Sequence, residues 1–168
     1  GKLLPHLFKN LGVLLMSMTW GDLKEMLVDL GFEEDSITSE SEYGRLIRNS
    51  VNRAVSIIRS TVILQIADYL RYEESWGYET TEEDSDGTEH TKWVLPKTKR
   101  ITAETEDTQK INFPEILEPL LPLLSAHYIW LDDDLSKATL YWNEYDDMKN
   151  QIVSVAKTPR RALIEGGF

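Results

Sequence analysis

The chain has 168 residues, no cysteine, 41% hydrophobic and 28% charged residues, and a formal net charge of −11. That length fits one domain, and the missing cysteines exclude disulfide frameworks, zinc-thiolate sites and thiol catalysis, which suits a reducing compartment. The acidity argues against recognition of DNA or RNA phosphate by the body of the protein, although a wall that DNA slides past can be acidic.

The first segment, Gly1–Ser17, carries Lys2 and then an apolar stretch, as a signal peptide does. His6, Lys9 and Asn10 interrupt it, and no small-x-small cleavage site follows Met18. It reads as a leader: an extra helix, an artificial extension or an upstream extension of the reading frame. No run approaches the roughly 20 apolar residues of a membrane span. The longest, Ser60 to Leu70, is broken by Gln65 and Asp68.

Thr19 is placed to cap a short helix whose Leu23, Met26, Leu27 and Leu30 share a face, and Gly31 stands at its left-handed end. Glu33–Ser41 reads as a polar linker, with Ser39 or Ser41 capping a second, longer helix. That helix is expected over Glu42 to Tyr72. Ile47, Val51, Ala54, Ile58 and Val62 form its stripe, and Leu46, Val55, Ile66 and Tyr69 widen it. Arg45, Arg48, Asn52, Arg53 and Arg59 fall mostly off that stripe.

Composition then changes. Glu73 to Glu89 holds eight acidic residues and no basic one; Lys92 to Arg100 holds four basic residues and no acidic one. The turn signal Asp86-Gly87 lies between them. Trp76, Tyr78, Thr80 and Thr81 precede it; Thr91, Trp93, Val94 and Ile101 come after it. This predicts a β-hairpin whose arms attract each other, with Trp76 and Tyr78 on one face. A two-stranded hairpin is marginal alone in water, so it should lean on its own helices or on a neighbouring subunit.

Thr102 to Asn112 reads as polar and mobile. Phe113-Pro114 opens a third helix, and Pro119 and Pro122 predict a kink or break near Leu120. Beyond it, Leu124, Tyr128 and Leu131 share a stripe. Asp132-Asp133-Asp134 ends that helix and starts the last one, Leu135 to Lys157. There Ala138, Tyr141, Tyr145, Met148, Ile152 and Val155 step by three and four residues. Pro159 stops it. The tail is basic at Arg160 and Arg161, carries Leu163, Ile164 and Phe168, and reads as a frayed end or as an arm for a partner's groove.

Chemistry-bearing patterns are sparse. Hard cations need oxygen ligands that converge, whereas three consecutive aspartates at a helix junction diverge, so Asp132–Asp134 reads first as capping. A metal-dependent enzyme built on the triplet is a rival that loss of divalent-cation binding in Asp133→Asn would identify. His6, His90 and His127 are scattered, and no Ser-His-Asp pattern or phosphate-binding Gly-rich loop is present. Tyr128, Trp130, Tyr141, Trp142 and Tyr145 read as core, with a share left for an interface.

The fold class expected is mainly α: about four helices in a small bundle, an inserted hairpin or extended loop, and a C-terminal arm. The boundaries are a leader at 1–18, one helical domain at 19–157 with the hairpin insertion at about 74–102, and the arm at 158–168. This order resembles the head-tail adaptor, or connector, family of tailed-bacteriophage necks. The segment Tyr43-Gly44-Arg45-Leu46-Ile47-Arg48-Asn49-Ser50-Val51-Asn52-Arg53-Ala54 resembles the start of that family's long helix. Ala126-His127-Tyr128-Ile129-Trp130-Leu131-Asp132-Asp133-Asp134-Leu135-Ser136-Lys137-Ala138, with Tyr141-Trp142-Asn143-Glu144-Tyr145 beyond it, is similar to its closing helix pair. The resemblance spans Thr19 to the C-terminus; Gly1–Ser17 departs from it.

The resemblance implies a virion structural protein of the neck, assembled in the host cytoplasm, with no catalytic activity and no cofactor. It implies a closed homo-oligomeric ring, dodecameric in the virion, docked on the portal protein. The ring extends the DNA channel, passes DNA without sequence-specific binding, and meets the next neck or tail-completion protein. No membrane is involved. Arg160, Arg161, Leu163, Ile164 and Phe168 would clasp the portal. The hairpin residues Trp76, Tyr78, Glu79, Glu82, Glu83, Trp93, Lys97, Lys99 and Arg100 would face a ring neighbour or the channel. The alternative is a soluble helical regulator, antitoxin-like, that binds one protein partner and has no virion role.

Overall fold

Thr19 opens the first helix of the computed structural model, which describes residues 18–158. The helix α1 (Trp20–Asp29) starts with a capping box. The Thr19 hydroxyl accepts from the Asp22 amide at 3.2 Å, and the Asp22 carboxylate accepts from the Thr19 amide at 2.9 Å. Its end is a Schellman turn: Gly31 at φ +103° lets the Phe32 amide reach the Leu27 carbonyl at 3.1 Å and the Gly31 amide reach Val28 at 2.9 Å.

The stretch expected as a polar linker instead holds a short helix, α2 (Glu34–Thr38), with Ile37 buried. Its carbonyl end finds donors in Arg48, which donates to Ile37 O at 3.1 Å and Ser39 O at 2.5 Å. Arg48 is therefore only 6% exposed, not on an outer face. Ser41 caps α3 (Glu42–Gln65), its hydroxyl accepting from the Gly44 amide at 3.1 Å. The stripe Ile47, Val51, Ala54, Val55, Ile58, Val62 is buried as its spacing predicts.

The long helix does not run through to Tyr72. It breaks at Ile66 (φ −121°, ψ 28°) and resumes as α4 (Ala67–Tyr72). Just before the break, the Ser60, Thr61 and Gln65 side chains all donate to carbonyls three or four residues back. Such back-bonding bends helices. Strands β1 (Tyr78–Glu83) and β2 (Glu89–Val94) then form one antiparallel two-stranded sheet, from Tyr78↔Val94 to Glu83↔Glu89.

Residues 102–112, expected to be mobile, form a strap bound to α1. The Trp20 and Gly21 amides donate to Gln109 O (2.8 Å) and Asp107 O (2.9 Å), and Ile111 donates to Met18 O (3.0 Å). The α1 donors are first-turn amides with no partner inside their own helix, so the strap's carbonyls satisfy them. Lys24 closes on Asp107 at 2.5 Å. The start of the strap is clamped by Asn52, which accepts from Ile101 N at 2.8 Å and donates to Ile101 O at 2.9 Å. Ile101 and Ile111 enter the core. Asn52→Ala would leave both backbone groups half-buried and unpaired, so a loss of about 1–3 kcal/mol is expected in urea unfolding.

Pro114 leads a 3-10 turn (Glu115–Leu117), and the expected break falls at Glu118–Pro119, before α5 (Leu120–Trp130). Pro122 lies in the first turn of α5, where an amide would have no helical partner, so it costs no bond. Helix α5 has no single stripe. Leu120, Leu121, Leu123, Leu124, Ala126 and Ile129 are all buried, because it packs between α3 and α6 (Leu135–Lys157) and also touches α1. Asp134 caps α6, its carboxylate accepting from the Lys137 amide at 3.1 Å. Ala138 and Tyr145 are buried, while Val155 is 48% exposed and Val153 and Ala156 pack on the core instead. The protein is mainly helical, a bundle with an inserted hairpin.

Candidate functional site

The hairpin is held at its base and free along its length. At the base, the Trp76 amide donates to Leu70 O at 2.7 Å, and the Trp93 indole donates to Trp76 O at 3.1 Å. The two indoles meet edge to face, 6.2 Å between centroids. Arg59 lies over Trp76 at 5.6 Å and Arg71 over Trp93 at 5.8 Å. Arg71 also pairs with Glu79. Burial of Arg59 lowers its pKa from the ordinary value.

Gly77 makes this packing possible. At φ +86°, with a Cβ position 2.5 Å from the Trp93 indole nitrogen and 2.8 Å from Val94 O, it admits no side chain. It also breaks the alternation expected to place Trp76 and Tyr78 together: Trp76 packs on the core, whereas Tyr78 is 61% exposed. Trp93→Ala removes the edge-to-face pair and the stacking surface for Arg71. Amide exchange in β1 and β2 should speed up roughly tenfold or more while α3 and α5 keep their protection.

Beyond the base, Glu79, Glu82 and Glu83 in β1 and Glu89, His90 and Lys92 in β2 are exposed. The expected attraction between the arms is absent. Glu79 faces Trp93, Thr80 faces Lys92, and Glu83 faces Glu89 across the ladder. Among the described residues no ion pair joins a β1 carboxylate to a β2 cation. Lys97, Lys99 and Arg100 lie past the end of β2, along the helical body. There Arg100 donates to Asn49 of α3 at 3.1 Å, and Lys97 O accepts from Asn112 at 3.0 Å. The hairpin is thus acidic toward its tip, and the cations gather behind its base.

The tip is well organised. Asp84 accepts from the Asp86 and Thr88 amides at 3.1 and 3.0 Å and contacts His90 at 2.6 Å. Side-chain hydrogen bonding with Asp86, then with His90, holds the Asp84 pKa down to about 2. Gly87 at φ +84° closes the turn.

Behind the base, Lys99, Arg100, Thr108, Lys110 and Asn112 line an open cleft of about 600 Å³, with Glu104 and Glu106 also on its wall. Lys97 adjoins it through the Asn112 bond. The cleft was not foreseen, since Lys110 comes from the strap and Lys99 from the far side of Ile101. Arg59 and Arg71 give no sequence signal as anchors, since each stacks on a tryptophan far along the chain, Trp76 and Trp93.

Asp134 is a cap; Asp132 and Asp133 are exposed at the helix junction. His127 contacts Ala138 O at 2.7 Å and lies between the Tyr128 and Trp142 rings. Among the described residues no group of three or more His, Asp or Glu is placed to hold a metal ion, and no helix is long and apolar enough to cross a membrane. The arm residues Arg160, Arg161, Leu163, Ile164 and Phe168, like Gly1–Ser17, lie outside the described residues.

The chain matches no protein-family model, and no curated protein or solved structure is significantly similar to it.

Proposed function

We propose that this protein is a non-catalytic assembly subunit, a ring-forming adaptor of the tailed-phage neck. In this role it docks beneath the portal, extends the DNA channel and joins head to tail. The observation that carries the reading is the hairpin. Its strands are exposed on both faces beyond the Trp76–Trp93 base. A two-stranded ribbon with so little of its own to bury is stabilised by a neighbour. A mainly helical bundle with an inserted hairpin supports the reading. A ring contact is heterologous, so one subunit must offer two different patches, and the acidic hairpin and the basic cleft differ in this way. In the same reading Arg160, Arg161, Leu163, Ile164 and Phe168 clasp the portal.

The test is negative-stain microscopy of the full chain with and without its portal protein. Rings, alone or on the portal, are expected. A discrete dimer or heterodimer without portal affinity would instead establish the regulator reading. Deleting residues 159–168 should abolish portal binding, read by co-sedimentation, and leave the circular dichroism spectrum unchanged.

A further inference from the structure

We infer that the acidic hairpin tip of one copy docks into the basic cleft behind the hairpin base of the next copy, so that the ring closes through tip-to-cleft contacts. This rests on the ring reading above and names the two surfaces that meet.

The tip offers Glu82, Glu83 and Glu89, all exposed and none in an ion pair among the described residues. The cleft offers Lys99, Arg100 and Lys110, with Lys97 beside it, against Glu104 and Glu106. Three lining cations against two lining anions leave a local positive excess in a chain whose net charge is −11. Among the described residues none of Lys97, Lys99 and Lys110 pairs with a carboxylate; Arg100 bonds only the neutral Asn49. Both surfaces therefore carry charge that the fold leaves unused.

Geometry keeps a chain from satisfying itself. Each strand has six residues, and six extended residues span about 20 Å. Lys97 comes only three residues after Val94 at the base. The tip thus stands about two Debye lengths from its own cleft at 0.1 M salt, where attraction is largely screened. A second copy can bring its tip into the cleft directly. Tip and cleft are different surfaces, so the contact can repeat head to tail around a ring.

The chain has no cysteine, which makes cross-linking clean. A chain carrying Ser85→Cys at the tip is mixed with a chain carrying Thr108→Cys in the cleft, and the mixed disulfide is read on a non-reducing gel across a concentration series. The mixed disulfide is expected to exceed either self-pairing and to fall with added salt. Reversing the tip (Glu82→Lys with Glu83→Lys) or the cleft (Lys99→Glu with Lys110→Glu) should each lower its yield roughly tenfold or more. Reversing both together should restore it, which mere loss of folding cannot do. Unchanged yield on single reversal, or no recovery on double reversal, overturns the contact. If rings form on the portal without the mixed disulfide, only this contact falls and the ring reading stands. Retention of duplex DNA by the cleft, lost in Lys99→Glu with Lys110→Glu and without any mixed disulfide, would assign the cleft to phosphate and also overturn it.

Discussion

Gly44→Ala is expected to destabilise the protein by about 3 kcal/mol, although it replaces a helical glycine with the best helix former. Gly44 lies in the first turn of α3, where α2 passes at backbone distance. An added Cβ would sit 2.1 Å from Ser39 O and 2.9 Å from Ser36 O. Both neighbours are backbone atoms, so no side chain can swing aside. Ser39 cannot retreat freely either, because Arg48 holds its carbonyl and the Ser39 hydroxyl accepts from the Ser41 amide. Relief requires α2 to lift from α3, which exposes Ile37. For a domain of this size the midpoint of thermal unfolding should fall by roughly 6–12 °C. On an open helix face the same change would raise stability by up to about 1 kcal/mol, so the sign alone decides. Circular dichroism melting reads it, and a variant as stable as the parent would show that α2 does not pack as described. Arg48→Met should couple to Gly44→Ala non-additively, since both act on one carbonyl.

Elements that announce themselves by side-chain pattern were legible. Thr19 and Gly31 bracket α1, Ser41 starts α3, the Asp-Gly turn sits between two strand-like arms, and Asp134 starts α6. What was missed is held by groups that leave no pattern. The strap 102–112 is bound through its carbonyls to the first-turn amides of α1, and backbone carbonyls have no letter in the sequence. Helix α2 buries only Ile37, too little to show a period. The spacing that sets Arg48 off the apolar stripe shows its charge but not the two carbonyls, Ile37 O and Ser39 O, that draw it inward. Three-and-four stepping puts Val155 on the buried face because it matches a 3.5-residue repeat; a straight helix drifts from it by about 20° per heptad. After more than two heptads from Ala138 the face has moved to Ala156. The hairpin charges were visible, but where they point was not. Gly77 reorients the chain at the base, and Lys97, Lys99 and Arg100 leave the strand for the body.

The stability of the fold should fall as pH rises from about 5 to 8, and Glu118 is the residue expected to cause it. Its carboxyl sits between the 3-10 turn and Pro119, with one oxygen buried and without a hydrogen-bond partner. Burial first, then the nearby Glu115 carboxylate, pushes its pKa up to about 8; Glu74 and Asp22 add to the rise, and a hydrogen bond from the Met18 backbone opposes it. In the unfolded chain the same group titrates near 4.5. Between these values the folded state keeps a proton that the unfolded state has released, so unfolding becomes more favourable as pH rises. The contribution is intact below the unfolded value and is lost as pH passes through the folded one. Its size is about 2–4 kcal/mol once partial hydration of the charged form is allowed for. Glu118→Gln keeps an oxygen for the Met18 amide and removes the charge. Urea unfolding should then show a flatter pH dependence, with the variant close to the parent near pH 5 and more stable by about 2 kcal/mol near pH 8.5. An unchanged slope in Glu118→Gln would mean that the carboxylate ionises in the folded state at its ordinary pH. The packing of α1, the strap and α5 around it would then have to be open to water.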